Sequence, residues 1–363
     1  MLPRRRRLTL LMNGSNSFRT GSHKAHALAF ILGLVALAGG SGCSRFYKSK
    51  VTVPPLLAPL KEAAPGELIE VVNRMAQVQS LRGKIDIQFL DNSFAQCGIT
   101  EKYRTAEGDV ILQRDGKIYL VINGPFSVKI AEMTSDGERF RVAVLQGDDK
   151  YRRFLKGTNI AAYQRLDAGA EVDCGKGDQT KTAQMQQRAA SAFSGLRPQH
   201  FTDALLVRPV GGSMADKNLI YVRSETFAED MDTRPKAKKG ARVVRGYYQL
   251  DEIAPQPDGR GRLLRRFWFD RYGGITLARL QTFGEQGELT TDVVYREQKS
   301  FGEATKYTLP AAIEITRPQD RYSLRISYQT PDAVKVDQPW PADVFVLENK
   351  SNLPEVDLDA KKQ

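Results

Sequence analysis

From Lys84 onward the apolar residues of this chain recur at every second position. Ile85, Ile87 and Phe89 alternate with Lys84, Asp86 and Gln88. A period of two places alternate side chains on opposite faces of a strand, so each such run predicts a strand with one buried face. Val110 and Leu112 form the next run, ended by Arg114-Asp115-Gly116-Lys117, which reads as a two-residue Asp-Gly hairpin. Ile118, Leu120 and Ile122 follow, ended by Asn123-Gly124-Pro125, and then Val128 and Ile130. Ser135-Asp136-Gly137-Glu138 reads as a second hairpin turn, and Phe140, Val142 and Val144 resume the alternation. Short strands joined by such turns predict an antiparallel meander, apolar on one face and wet on the other.

Further strands are predicted over 243–253, 264–270, 275–283, 288–296, 311–316 and 322–329. About ten strands suit one large curved antiparallel sheet, an incomplete β-barrel, covered by helices: an α+β fold that is mainly β. The clearest helix is 67–80, where Leu68, Val71, Val72, Met75 and Ala76 follow helical spacing and Arg82-Gly83 reads as its stop. A second helix is expected over 181–193, and 200–207 reads as a short helix or a covering segment. Residues 211–216 and 233–240 read as loops. No composition break divides residues 67–350, which are taken as one domain with insertions near 155–180 and 211–242, followed by a polar tail at 351–363.

The N-terminal 42 residues have a different character. They hold six cations and no acid, and an apolar run of 12 residues, Ala27 to Ala38, precedes Gly39-Gly40-Ser41-Gly42-Cys43. About 20 apolar residues are needed to span a bilayer, so the run is too short for a transmembrane helix. It resembles a bacterial lipoprotein signal, although Gly40 stands where such signals usually carry leucine. The resemblance implies lipidation of Cys43, attachment to the membrane, and a place in the bacterial envelope, most naturally the outer membrane facing the periplasm. Ordinary cleavage near Cys43, giving a soluble secreted protein, is the alternative. Residues 43–66 contain Pro54, Pro55, Pro59 and Pro65 and read as an extended, non-packed tether.

Without the leader the formal charge falls from +12 to +6, which demands no nucleic-acid partner. Cys97 and Cys174 remain as an even pair in polar, glycine-containing segments, either bonded as a disulfide or left as two thiols. One histidine, His200, remains after His23 and His26 leave with the signal, too few for a multi-histidine metal site. No GxSxG, P-loop or dinucleotide fingerprint is present, so neither catalysis nor a cofactor is expected. Asp148-Asp149 and Asp251-Glu252 read as solvated turn doublets. Arg152, Arg153, Arg265 and Arg266 are placed near sheet edges, where headgroup contact and edge protection both suit them.

The order of elements resembles the LolA/LolB-like superfamily of bacterial lipoprotein trafficking. The pieces are the N-terminal helix, Ser80-Leu81-Arg82-Gly83-Lys84-Ile85, Glu107-Gly108-Asp109-Val110-Ile111-Leu112, Gly124-Pro125-Phe126 and the Ser135-Asp136-Gly137 turn. Late in the chain come Trp268-Phe269-Asp270-Arg271, Ile275-Thr276-Leu277, Gly287-Glu288-Leu289-Thr290 and Leu309-Pro310-Ala311. The resemblance implies a half-barrel that holds lipid or an acylated lipoprotein on its apolar face. The residues expected to line it are Ile85, Ile87, Phe89, Val110, Leu112, Ile118, Leu120, Ile122, Val128, Ile130, Phe140, Val142, Val144, Phe267 and Phe269. A filled core would use the same residues equally well. The exposed membrane or cargo loop of the superfamily's receptors has two candidates here, Pro125-Phe126 and Phe154-Leu155. A structural or sensory envelope lipoprotein that binds a protein partner without lipid is the second functional class.

Overall fold

The period-two stretches are strands in the computed structural model of the protein, which describes residues 53–92, 100–147, 149, 152–159, 196–211, 218–302 and 307–360. The chain divides into two units, Met1–Val53 and Pro54–Gln363, and the strands and helices that follow belong to the second. Cys43, Cys97, Cys174, the leader and the helix expected at 181–193 lie outside the described residues.

The first half of the sheet is β1 (Ser80–Asp91), β2 (Glu101–Lys102), β3 (Ala106–Gln113), β4 (Lys117–Asn123), β5 (Lys129–Asp136), β6 (Arg139–Val144) and β7 (Arg153–Thr158). The second half is β8 (Ile220–Met231), β9 (Arg242–Pro255), β10 (Gly261–Asp270), β11 (Thr276–Phe283), β12 (Leu289–Phe301), β13 (Tyr307–Arg317) and β14 (Tyr322–Tyr328). Two short strands, β15 (Lys335–Val336) and β16 (Glu355–Asp357), follow. Among the described residues these sixteen strands make one sheet, ordered β16-β7-β6-β5-β4-β3-β1-β14-β13-β12-β11-β10-β9-β8, with β2 and β15 also paired to β1. Two meanders are therefore stitched together where β1 meets β14, with Ile87 opposite Ile326. Every pairing is antiparallel except β16 with β7.

The sheet is open and curved. Register shifts at Ile122/Asn123, Leu263/Arg265, Trp268/Phe269 and Thr282/Phe283 add local bends of the kind that bulges impose. One face carries the main apolar core, running from Leu81 and Ile85 on β1 through Val142 and Leu155 in one direction and Ile313, Val293 and Leu250 in the other.

Two helices occur among the described residues, α1 (Pro65–Ala76) and α2 (Pro198–Leu205). They pack on the sheet at β11 and β13 and at β4, β5 and β13 respectively. They cover only part of the apolar face, so a sheet covered by helices overstates what is described. Helix α1 stops at Ala76, four residues before the expected end, and Arg82-Gly83 lies inside β1. Pro65 opens the helix because its missing N–H belongs to the first turn, and Glu67 returns a carboxylate to the Ala64 amide at 3.0 Å.

The segment before α1 is packed, where non-packed backbone was expected. Leu57 is 2% exposed, its amide donates to the Val244 carbonyl at 2.9 Å, and the Lys61 amide donates to Arg271 at 2.8 Å. Prolines allow this because an extended strap needs few amide partners. The end of the chain is also docked: β16 pairs with β7, and Leu353 and Leu358 are buried.

The first hairpin spans three residues, since Gln113 pairs with Lys117, and Asp115 and Gly116 both adopt positive φ (68° and 74°). The second Asp-Gly turn packs on the first. A Cβ on Gly137 would lie 2.2 Å from the Asp115 carbonyl oxygen, so this site accepts only glycine.

Candidate functional site

Thirteen of the fifteen residues expected to line the apolar face are buried in one cluster: Ile85, Ile87, Phe89, Val110, Leu112, Ile118, Leu120, Ile122, Phe140, Val142, Val144, Phe267 and Phe269. Val128 and Ile130 are not in it. Val128 precedes β5 and is 47% exposed, and Ile130 is half-buried off the core face. The register shift after Ile122 skips Ile130, so Ala131 pairs with Ile122 and Met133 with Leu120. That shift resets the phase of β5, and Ala131 and Met133 take the buried positions instead.

Helix α2 lies on this face at its first-half side. Phe201 and Ala204 are buried in the same cluster as the strands beneath, and Leu196 precedes the helix in the same cluster. Its C-terminal carbonyls are held by polar side chains. Tyr295 Oη donates to the Ala204 carbonyl at 3.0 Å. Arg114, in the first hairpin loop, donates to Leu206 at 3.2 Å and Val207 at 3.1 Å. The same guanidinium donates to Ala76 at 2.7 Å and Val78 at 2.9 Å, which caps α1. Helix C-termini leave carbonyls without intrahelical partners and favour a cation, so one arginine ties two helices to one turn. Burial pushes its pKa down.

A cavity of about 10 Å³ lies between Leu120, Ile122, Ala131, Met133, Val142 and Leu196. That is barely room for one water, so the face between these residues is filled.

His200 sits on α2, where its Nδ1 meets the Tyr322 hydroxyl. Burial, then the positive charges of Arg317 and Arg197, hold its pKa well below the usual histidine value.

The two loop candidates separate. Phe126 is 99% exposed at the tip of the β4–β5 connection, with φ of 60°, in a short 3-10 turn spanning Pro125–Ser127. Phe154 and Leu155 are strand residues in β7. Leu155 belongs to the main core, and Phe154 packs with Ala143 and Leu353 on the other face. A buried strand pair cannot serve as an exposed loop, so the Phe154-Leu155 expectation is corrected.

Of the two charged doublets, Asp149 lies in a turn and Asp148 outside the described residues, whereas Asp251-Glu252 departs from expectation. Asp251 and Glu252 are strand residues of β9, not turn residues. Asp251 accepts two bonds from Arg266 at 2.6 and 2.7 Å, and Glu252 accepts from Arg265 at 2.8 and 2.6 Å. Arg265 and Arg266 thus lie inside the sheet as cross-strand partners, not at an edge. Glu252 also accepts from Tyr221, whose hydroxyl pKa burial pushes up to about 12. On the outer face of β8–β12 a groove of about 570 Å³ is lined by Tyr247, Trp268, Arg245, Arg279, Asp230 and Asp270, among others. Several of its charges are paired, as in Arg245 to Asp270 at 2.7 Å, and Arg279 covers the Trp268 ring at 5.3 Å. The alternation of Tyr247 and Trp268 with the core residues Tyr248 and Phe267 is the signal that places them on the opposite face.

No family model matches the sequence, and no curated protein matches it. Solved structures similar to it include a LolA superfamily protein from Nitrosomonas europaea, at 10% identity and a TM-score of 0.39, covering 79% of this chain and 99% of that one. A DUF1329 family protein from Desulfovibrio piger is similar at 11% identity and a TM-score of 0.37, covering 79% and 98%. A structure described as an outer membrane lipoprotein-sorting protein domain, from Vibrio parahaemolyticus, is similar at 10% identity and a TM-score of 0.36, covering 78% and 97%.

Proposed function

We propose that this chain is a non-catalytic envelope lipoprotein that binds an acyl chain, free or carried on an acylated protein, between the apolar face of its sheet and helix α2. The observation that carries this reading is the lid itself. An eight-residue helix, not a second sheet, lies over part of a face built from both meanders. Its displacement exposes apolar surface without breaking any strand ladder. Re-exposing Phe201 and Leu196 costs about 2–3 kcal/mol each, whereas each buried methylene contributes about 0.8 kcal/mol. Roughly five to eight methylenes therefore offset the re-exposure of these two side chains, and a long acyl chain exceeds that.

Phe126, projecting from the β4–β5 tip, is the residue we assign to first contact with membrane or cargo. Cys43 is the proposed anchor, which would place the protein at the outer membrane facing the periplasm, and acyl labelling that is equal in wild type and Cys43→Ala would refute it. A photoreactive residue at Leu120 tests the site: cross-links to an added acyl lipid support it, and none above the level of a Val121 control on the opposite face contradicts it.

A second reading, a sheet that packs an envelope protein partner and holds no lipid, is favoured by the filled apolar face between Leu120, Met133 and Leu196, where the cavity is only about 10 Å³. The two readings differ in whether acyl lipid displaces α2.

A further inference from the structure

The two ends of the sheet are built differently. At one end β16 has three residues, a short edge that offers little to a foreign strand. At the other, β8 runs for twelve residues with an unshifted register against β9, from Ile220 opposite Ile253 to Met231 opposite Arg242. It carries no proline and no bulge, and among the described residues it pairs only with β9. Ile220 is 49% and Phe227 53% exposed, and Val222 and Met231 are exposed as well. A long, unbulged, partly apolar edge of this kind is the surface on which a further strand adds.

We propose that the partner is a second copy of this chain, paired antiparallel through β8 about a two-fold axis at Ser224. Directly opposite residues in such a pair share a face, so the axis of a self-paired strand passes through a residue. With Ser224 on the axis, Arg223 stands opposite Glu225, Tyr221 opposite Phe227, Val222 opposite Thr226 and Ile220 opposite Ala228, each pair occurring twice. These are opposite-charge, aromatic and β-branched pairs, the combinations that stabilise cross-strand neighbours. Neighbouring registers fail. An axis at Arg223 or Glu225 sets like charges face to face, one at Thr226 sets Val222 against Asp230 and Phe227 against Glu225, and one at Phe227 sets Glu225 against Glu229. Arg223 and Glu225 already bond within the chain, to the Ala63 carbonyl and to Arg271 at 2.7 Å each, which fixes them at the edge with capacity for a second partner. This edge is distinct from the strands on which α2 packs, β4, β5 and β13.

Light scattering and mild oxidation of the detergent-solubilised full chain test the pairing. The parent chain is expected at twice its monomer mass. Ser224→Arg, which sets two arginines on the axis, is expected at the monomer mass with unchanged circular dichroism. Ser224→Cys is expected to cross-link well above the parent background, whereas Thr226→Cys, whose two copies stand four residues apart in this register, stays at background. A monomeric parent chain, a Ser224→Arg protein that remains dimeric, or equal cross-linking at 224 and 226 would overturn the proposal.

Discussion

The guanidinium of Arg271 lies over the ring of Tyr248, 4.2 Å from its centroid, and holds the strap at 54–63 to the sheet. It is buried, donates to the Lys61 carbonyl at 3.0 Å, and pairs with Glu62 and with Glu225 at 2.7 Å. Arg223 covers the same ring at 4.9 Å. Removing Arg271 takes away both the cation–π contact and the strap's main donor. Arg271→Ala is expected to cost about 2 kcal/mol. Hydrogen exchange checks the location: the amides of Leu57 and Lys61, which bond to Val244 and Arg271, should lose protection first.

The same clasp weakens in acid. The Tyr248 hydroxyl, and then Arg271, hold the Glu62 carboxyl below its ordinary value of 4.5. A depressed carboxylate stabilises the fold above the unfolded-state value and loses that contribution as pH falls through the folded one. Protease access to 54–63 should therefore rise below about pH 4.5 in the wild type, and Glu62→Gln should show the higher access already at neutral pH.

His200 gives a second window, nearer neutrality. Its folded pKa lies well below 6.5, so the unfolded chain binds a proton there that the folded chain excludes. Stability falls as pH drops below about 6.5, with a slope approaching 1.4 kcal/mol per pH unit for this one group. Urea titrations between pH 7 and 5 should show that slope in the wild type, and a reduced slope in His200→Gln. An equal slope in both would assign the effect to other groups.

Phe126 should matter to binding and not to folding. A side chain 99% exposed contributes little to stability, so Phe126→Asp is expected to shift it by less than about 0.5 kcal/mol. Burying a phenylalanine in lipid contributes about 1.5–3 kcal/mol, so the same change should weaken binding to anionic vesicles roughly tenfold or more. Vesicle co-sedimentation measures this directly.

Period-two alternation placed thirteen of the fifteen apolar-face residues on the core face, because alternation survives wherever a strand has one dry side. Val128 and Ile130 were misplaced because a register shift after Ile122 resets the phase without a mark in the hydropathy. Strand β8 escaped notice for the opposite reason: both its faces are largely exposed, so Ile220-Tyr221-Val222-Arg223 shows no clean alternation. The prolines of the strap signal extended backbone equally well for a free tether and for a packed segment, so its docking is not legible in the sequence. Arg114 carried no sequence signal, since its role depends on two helix ends separated from each other by more than a hundred residues. Gly137 was legible as a turn residue, and the structure adds its reason. Gly137→Ala forces a Cβ against Asp115 at a φ of 103° and should cost about 2 kcal/mol or more.

Native mass spectrometry of wild type and Arg114→Leu in the presence of a fatty acid tests the lid most directly. Loss of the ties to Leu206 and Val207 loosens α2, so one bound acyl chain is expected on the wild type and a larger occupied fraction on the variant, despite its lower stability. Wild type that stays at its bare mass at saturating fatty acid, with the variant equally bare, would contradict acyl binding under α2.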